Sequence, residues 1–269
     1  MTKLGMIGGG VMGEALISRL IAQKIYSPAD ILVSEPLQER RNFLATTYQI
    51  QVTDDNRLAA AAEVLFLAIK PQVFQTVVDR LNIDPVPSSA SPSLVISILA
   101  GTPLSKLEAA FPGKSIIRAM PNTPATVGAG VTAIAAGQHT QPEQLAQAQQ
   151  LFTAVGEVVQ VTEAQMDAVT GLSGSGPGYI ALVIEALADG GVAAGLPRAI
   201  ATQLAIQTVK GTAQLLQDSG LHPGQLKDQV TSPGGTTIAG IAQLEKAGLR
   251  SALIEAVRAA YLRSQELGR

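Results

Sequence analysis

Gly8-Gly9-Gly10-Val11-Met12-Gly13 follows the short apolar run Leu4–Ile7 and opens a helical pattern. In that context Gly8 permits a tight turn, Gly10 lets the backbone approach a pyrophosphate, and Gly13 lets the helix pack on the strand. The helix N-terminus adds free N–H donors and a positive dipole end. A second apolar run closes on Val33-Ser34-Glu35, at the distance where an acid meets the ribose hydroxyls of NAD. Arg40 and Arg41 follow within two helical turns, and with Ser34 they are also compatible with a 2′-phosphate. The choice between NAD and NADP stays open on these residues. Either arginine is equally readable as part of a solvated helix face.

Further down the chain Lys70-Pro71 and Ala100-Gly101 each follow an apolar run, where a doubly wound sheet presents its ligand loops. In Arg118-Ala119-Met120-Pro121-Asn122-Thr123-Pro124-Ala125 two prolines stiffen a loop that carries an amide and a hydroxyl, a plausible nicotinamide or substrate wall. Asp167 to Pro177 is the densest run of small residues. It costs chain entropy unless a ligand or another subunit must come close to the backbone. In Thr231-Ser232-Pro233-Gly234-Gly235-Thr236-Thr237 two glycines precede a helix start, so N–H and hydroxyl donors converge as a carboxylate nest.

Other chemistries lack their residues. There is no cysteine, and the two histidines, His139 and His222, stand in loop or turn contexts without a motif and read as surface residues. No Ser–His–Asp set and no metal spacing is present, so no metal is expected. Hydroxyls and N–H groups without a strong acid or base suit hydride delivery with modest proton help.

These groups need elements to hold them. Leu4–Ile7, Ile31–Ser34, Ile50–Val52, Val64–Ile69, Leu94–Ile98 and Ser115–Ala119 read as strands buried on both faces, with helical stretches between them. Val131–Ala135 and Val158–Val161 read as closing strands around a helix at 142–155, and Pro85–Pro92 as a surface loop. After Val161 the strand signal stops, and long helical segments follow near 178–194, 197–217, 236–247 and 249–267. The expected architecture is α/β: a Rossmann-like doubly wound domain over 1–161, then an all-helical domain over 162–269. The helices are apolar over wide faces, which predicts pairing with a second copy.

Composition agrees. Of 269 residues, 46% are hydrophobic and 15% charged, and 19 basic against 21 acidic residues leave a net charge of −2. That balance excludes disorder and argues against a nucleic-acid partner. The longest apolar stretches are too short or too interrupted for a membrane span, and Met1–Gly5 runs into a strand rather than a signal peptide, so a cytoplasmic protein is expected.

The chain resembles Δ1-pyrroline-5-carboxylate reductase over essentially its whole length. The matching stretches are Gly8–Gly13, Phe66–Pro71, Arg118–Ala125, Val169–Pro177 and the block from His222 to Glu245. The resemblance implies reduction of the cyclic imine 1-pyrroline-5-carboxylate to L-proline, the last step of proline biosynthesis, with NADPH or NADH. It implies a homodimer through the helical domain, often built into larger rings such as decamers. Carried over by position, Ile7, Gly8, Gly9, Gly10, Val11, Met12, Ser34, Asn56, Ala68, Ile69, Lys70, Pro71, Ile98, Leu99 and Ala100 touch the cofactor, joined by Glu35 and Asn122. Thr170, as the catalytic hydroxyl, and Ser175 line the imine, while Gly235, Thr236 and Thr237 hold its carboxylate, from the partner subunit. Glu35 stands where NADP-preferring members have a small or basic residue, which points away from strong NADP preference. Two other classes fit less well. In a β-hydroxyacid dehydrogenase a helical lysine precedes an asparagine by four residues, but here Lys210 precedes Gln214. A nucleotide sensor needs no carboxylate nest.

Overall fold

A computed structural model describes residues 2–81 and 93–268. The strands are β1 Leu4–Ile7, β2 Ile31–Ser34, β3 Gln51–Thr53, β4 Val64–Leu67, β5 Leu94–Ser97, β6 Ser115–Met120, β7 Gly130–Ala136 and β8 Gly156–Gln160. They form one eight-stranded sheet in the order β3-β2-β1-β4-β5-β6-β7-β8. Every pairing is parallel except β6 with β7. The connection Pro121–Ala129 explains the exception, because a parallel crossover needs roughly a dozen residues or more. The expected loop Pro85–Pro92 lies outside the described residues.

Alternation along each strand converts one apolar run into two cores. Leu4, Met6, Val64, Phe66, Leu94 and Ile96 point to one face. Ile7, Leu65, Leu67 and Val95 point to the other. Helices α1 Val11–Ala22, α2 Gln38–Tyr48, α3 Asn56–Ala60, α4 Phe74–Leu81, α5 Leu104–Ala110 and α6 Pro142–Thr153 accompany the sheet. Phe152 of α6 meets Phe66 edge-on with ring centroids 5.8 Å apart. The carboxyl ends of β2, β1, β4 and β5 therefore lie side by side, and their loops share one edge of the sheet.

The helical half contains α7 Met166–Val169, a π turn over Thr170–Gly174, α8 Gly176–Ala193, α9 Arg198–Ser219, α10 Pro223–Gln229, α11 Thr236–Lys246 and α12 Leu249–Gly268. Two compact units divide the described chain. One runs to Ser175 and takes up the segment from Ala259; the other is Gly176–Arg258. The fade of strand signal at Val161 marks the end of the sheet, whereas the division by compactness comes later. In the first unit the end of α12 is held by Ser264, whose buried hydroxyl donates to Asp167 Oδ1 at 2.7 Å.

Helix α10 has no counterpart in the sequence expectation, which gave His222 to a turn. His222 instead caps it: its Nδ1 accepts from Gly224 N at 3.1 Å, and Gln225 Oε1 accepts from His222 N at 3.1 Å. In the second unit α8 and α9 close on the small residues Ala188, Ala201 and Ala205. Large apolar side chains stay open in this unit, with Leu182 of α8 and Ile254 of α12 each 65% exposed. Among the described residues no helix is long and apolar enough to cross a membrane.

Candidate active site

Backbone bonds just beyond the strand ends staple the ligand loops together. Gly8 N donates to Ser34 O at 2.8 Å, Ala68 N to Ile7 O at 2.8 Å, and Ile98 N to Leu67 O at 3.1 Å. Four separate stretches of the expected cofactor site thus share one edge. Gly8 has φ +101°, and a Cβ there would lie 2.5 Å from the Ala68 carbonyl oxygen. Only glycine fits that turn. Gly10, by contrast, is exposed, and a Cβ there would meet nothing within 4 Å. It stands at the N-cap of α1 without a side-chain cap, so the N–H groups of Val11 and Met12 remain for a ligand.

The ribose end is more tightly built than its spacing suggests. Glu35 is buried; its Oε2 accepts the Gly9 N–H at 2.9 Å and its Oε1 the Leu37 N–H at 3.1 Å. Its carboxylate therefore shapes the glycine turn and still has lone pairs for ribose hydroxyls. Ser34 is buried as well and donates to Asn56 Oδ1 at 2.7 Å, so these two expected ligands are joined to each other.

Neither arginine is a solvated charge. Arg41 donates to the carbonyls of Glu35 at 2.6 Å and Pro36 at 2.8 Å. Arg40 Nε donates to Gly9 O at 2.6 Å, and its Nη2 pairs with Glu14 Oε2. Tyr48 OH donates to Glu14 Oε1 at 2.7 Å. Burial, then the Glu14 carboxylate, push the Tyr48 hydroxyl up to about 12, so it stays a donor at working pH. Sequence reasoning missed Glu14 and Tyr48, because residues on α1 and the end of α2 carry no spacing signal that joins them.

Ala68, Ile69 and Pro71 are half-buried, and Lys70 is exposed at the start of a short 3-10 turn, Pro71–Val73. Ile98 and Ala100 are half-buried too. Ile7 and Leu99 have their side chains in the second-face core, so any contact with a nucleotide is through their backbone.

The small-residue run becomes the π turn, in which Ser175 N donates to Thr170 O five residues back, at 2.9 Å. Thr170 Oγ1 donates to Met166 O at 2.9 Å. Its one proton is thus engaged, and the oxygen offers lone pairs. Asn122 braces the turn: its Nδ2 donates to Ser173 O at 3.2 Å, and its Oδ1 accepts from Val131 N at 2.9 Å. Both ends of this amide serve the fold. Arg118, also buried, donates to Glu163 Oε1 at 2.6 Å and lies 3.8 Å from Asp167 Oδ1, fixing α7 from below.

In the second unit Gly235 is the N-cap of α11 and has no side-chain cap bond. Gly234 has φ +67°, Thr236 is exposed and Thr237 half-buried. The first N–H groups of α11 therefore present an anion nest beside two hydroxyls. Among the described residues no group of three or more His, Cys, Asp or Glu is placed to hold a metal.

The open turn at Gly10, the uncapped start of α1 and the acceptors at the end of β2 fit the pyrophosphate and ribose of a nicotinamide dinucleotide. Comparisons with known proteins agree. Residues 163–267 match the family model described as pyrroline-5-carboxylate reductase dimerisation. Residues 3–101 match the model described as NADP oxidoreductase, coenzyme F420-dependent. A pyrroline-5-carboxylate reductase of Synechocystis sp. is 62% identical, covering 99% of this chain and 98% of the relative. One from Methanosarcina acetivorans is 46% identical over 99% of this chain and 98% of its own. Among solved structures, a pyrroline-5-carboxylate reductase from Coxiella burnetii superposes with a TM-score of 0.88 at 36% identity, over 100% of this chain and 99% of that one. The Plasmodium falciparum pyrroline carboxylate reductase, solved with NADP bound, gives 0.89 at 31% identity, over 100% and 98%. The chain belongs to the pyrroline-5-carboxylate reductase family, as an oxidoreductase with a Rossmann-like sheet and a helical dimerisation module.

Proposed function

We propose that this chain reduces 1-pyrroline-5-carboxylate to L-proline, the last step of proline biosynthesis, with NADPH or NADH, and that the π turn and the α11 nest divide the work on the substrate. The observation that carries the proposal is the pair of uncapped helix starts. One, behind Gly10, suits a pyrophosphate, and the other, behind Gly235, suits a carboxylate.

The turn from Gly8 to Met12 holds the pyrophosphate through the N–H groups of Val11 and Met12, Glu35 takes the ribose hydroxyls, and the loops at Ala68–Pro71 and Ile98–Ala100 form the remaining wall. When bound, the nicotinamide supplies the hydride that the imine carbon accepts. The chain's residues do the rest. Behind Gly235, whose own N–H is given to Ser232 O at 3.0 Å, the Thr236 and Thr237 donors hold the carboxylate and so fix which ring face is presented. Because the Thr170 hydroxyl proton already rests on Met166 O, its oxygen suits an incoming N–H. The substrate therefore binds as the iminium, its N–H donating to Thr170 Oγ1, and the nitrogen keeps that proton in the product. Ser175 lines the ring at the end of the same turn. No residue needs to act as a strong acid, and positioning supplies most of the acceleration.

The proposal also assigns roles to the two halves: residues 1–161 bind the cofactor, and 162–269 form the dimer and carry the substrate, with the nest offered across the dimer. The half-exposed leucines and isoleucines of α8, α9 and α12 support burial against a second copy. A larger ring of dimers and a cytoplasmic location complete the reading. The test is a steady-state assay with 1-pyrroline-5-carboxylate and each cofactor. Turnover to proline with at least one is expected, and no turnover with either refutes the proposal.

A further inference from the structure

Beside the ribose end stands a charge that the reaction does not use. Glu35 and Arg40 act on the same residue, through its two adjoining peptide groups: Glu35 Oε2 takes the Gly9 N–H at 2.9 Å, and Arg40 Nε donates to Gly9 O at 2.6 Å. A shallow cleft lined by Leu37, Gln38, Glu39, Arg40 and Phe43 opens there. The Arg40 side chain is 25% exposed, so it borders the space where a ribose substituent arrives. An arginine in this place accommodates a 2′-phosphate when its donors are available.

Here two of its three nitrogens are already engaged. Nη2 pairs with Glu14 Oε2, Nε serves Gly9 O, and the guanidinium lies 5.0 Å over the Phe43 ring. Glu14 is in turn held by Tyr48 OH at 2.7 Å. The carboxylate competes with any phosphate for Nη2 and cancels the charge that would attract it. A 2′-hydroxyl carries no charge and is indifferent to this pairing.

We propose that Glu14, through its ion pair with Arg40, sets how this chain discriminates between the 2′-phosphate of NADPH and the 2′-hydroxyl of NADH. Glu14 is a positioning residue and touches neither cofactor; it holds back an arginine that meets the 2′-phosphate only when released. This inference rests on the dinucleotide reading above and goes beyond it in assigning specificity to a residue on α1, away from the end of β2.

The test uses the full chain and two fragments that cannot turn over, adenosine 2′,5′-bisphosphate and 5′-AMP, titrated by calorimetry. Glu14→Gln is expected to tighten the bisphosphate about 5- to 10-fold while AMP stays within about twofold. Arg40→Gln alone is expected to change the ratio of the two affinities by less than about twofold, but in the Glu14→Gln background to abolish the gain. If Glu14→Gln does not fold, Glu14→Asp retracts the charge from Arg40 and is expected to give a smaller gain of the same sign. An unchanged affinity ratio in the folded glutamate variant overturns the proposal. So does a loss on Arg40→Gln as large in the wild-type background as in the variant, since Arg40 would then already reach the phosphate. If the wild-type chain binds neither fragment, the dinucleotide reading itself fails.

Discussion

Replacing Glu35 by serine separates two roles that its carboxylate combines. The substitution withdraws the acceptors of the Gly9 and Leu37 N–H groups. Leu37 is 67% exposed, so water takes over its bond at little cost. Gly9 is buried, and an unmet buried donor costs about 1–3 kcal/mol. We expect Glu35→Ser to destabilise the cofactor-free protein by about 2 kcal/mol, lowering Tm by roughly 4–8 °C for a chain of this size. On the proposed reading the same change removes an acceptor for ribose hydroxyls and a repulsion against a 2′-phosphate. The ratio of kcat/KM values should then shift toward NADPH by about 1–2 kcal/mol. A calorimetric melt without cofactor and initial rates with each cofactor read the two effects independently. A melt within about 1 °C of wild type would show that Gly9 does not depend on this carboxylate. An unchanged ratio would show that Glu35 points away from the ribose.

Thr170→Ala should lower kcat by roughly 10- to 1000-fold at saturating cofactor, whereas Thr237→Ala should mainly raise the substrate KM; wild-type kcat in the first from pH 6 to 9 makes Thr170 a wall residue. Gly8→Ala meets both a positive φ and the Ala68 carbonyl at 2.5 Å, and is expected to weaken NADH binding about 100-fold or more by nicotinamide fluorescence. Burial raises the Glu14 carboxyl, but the Tyr48 hydroxyl and Arg40 together bring it below its usual 4.5. A carboxylate with a depressed pKa contributes its stability above the unfolded value and loses it as pH falls through the folded one. Denaturant titrations should therefore show Glu14→Gln flattening the fall in stability below about pH 4.5. Sedimentation at micromolar concentration should show no fully active 27.8 kDa monomer.

The parallel sheet and its glycine turn were legible because two-sided burial writes continuous apolar runs and Gly8–Gly13 falls just after the first. The direction of β7 turned on connection length rather than on its residues, which look like those of any buried strand. Helix α10 went unread because seven residues give too few turns for a period to show, while His222 is exposed as a surface residue should be. At the site, spacing located Glu35 but not its burial, and it left Arg40 undecided. What decides Arg40 is a carboxylate 26 positions earlier, brought near only by the packing of α1 against α2. The run of small residues signals a close approach to the backbone, but nothing in it marks a helix with its bonds shifted by one residue.

The return of the chain's last turns to the first unit has a consequence for the order in which the molecule is made. Ser264 and Asp167 meet across 97 positions, with the whole of Gly176–Arg258 between the two parts of that unit. During synthesis the sheet can form while Asp167 still lacks its partner. At about 5–20 residues per second that interval lasts on the order of ten seconds. Throughout it α7 is held by Arg118 and by Met166 in the second-face core, without its tie to α12, and the nascent apolar helices are emerging. A slowed ribosome or a cut within the helical insert would therefore leave a formed nucleotide fold that binds cofactor beside an unfinished π turn. Such a species would be recognisable as one that holds NADH yet turns nothing over.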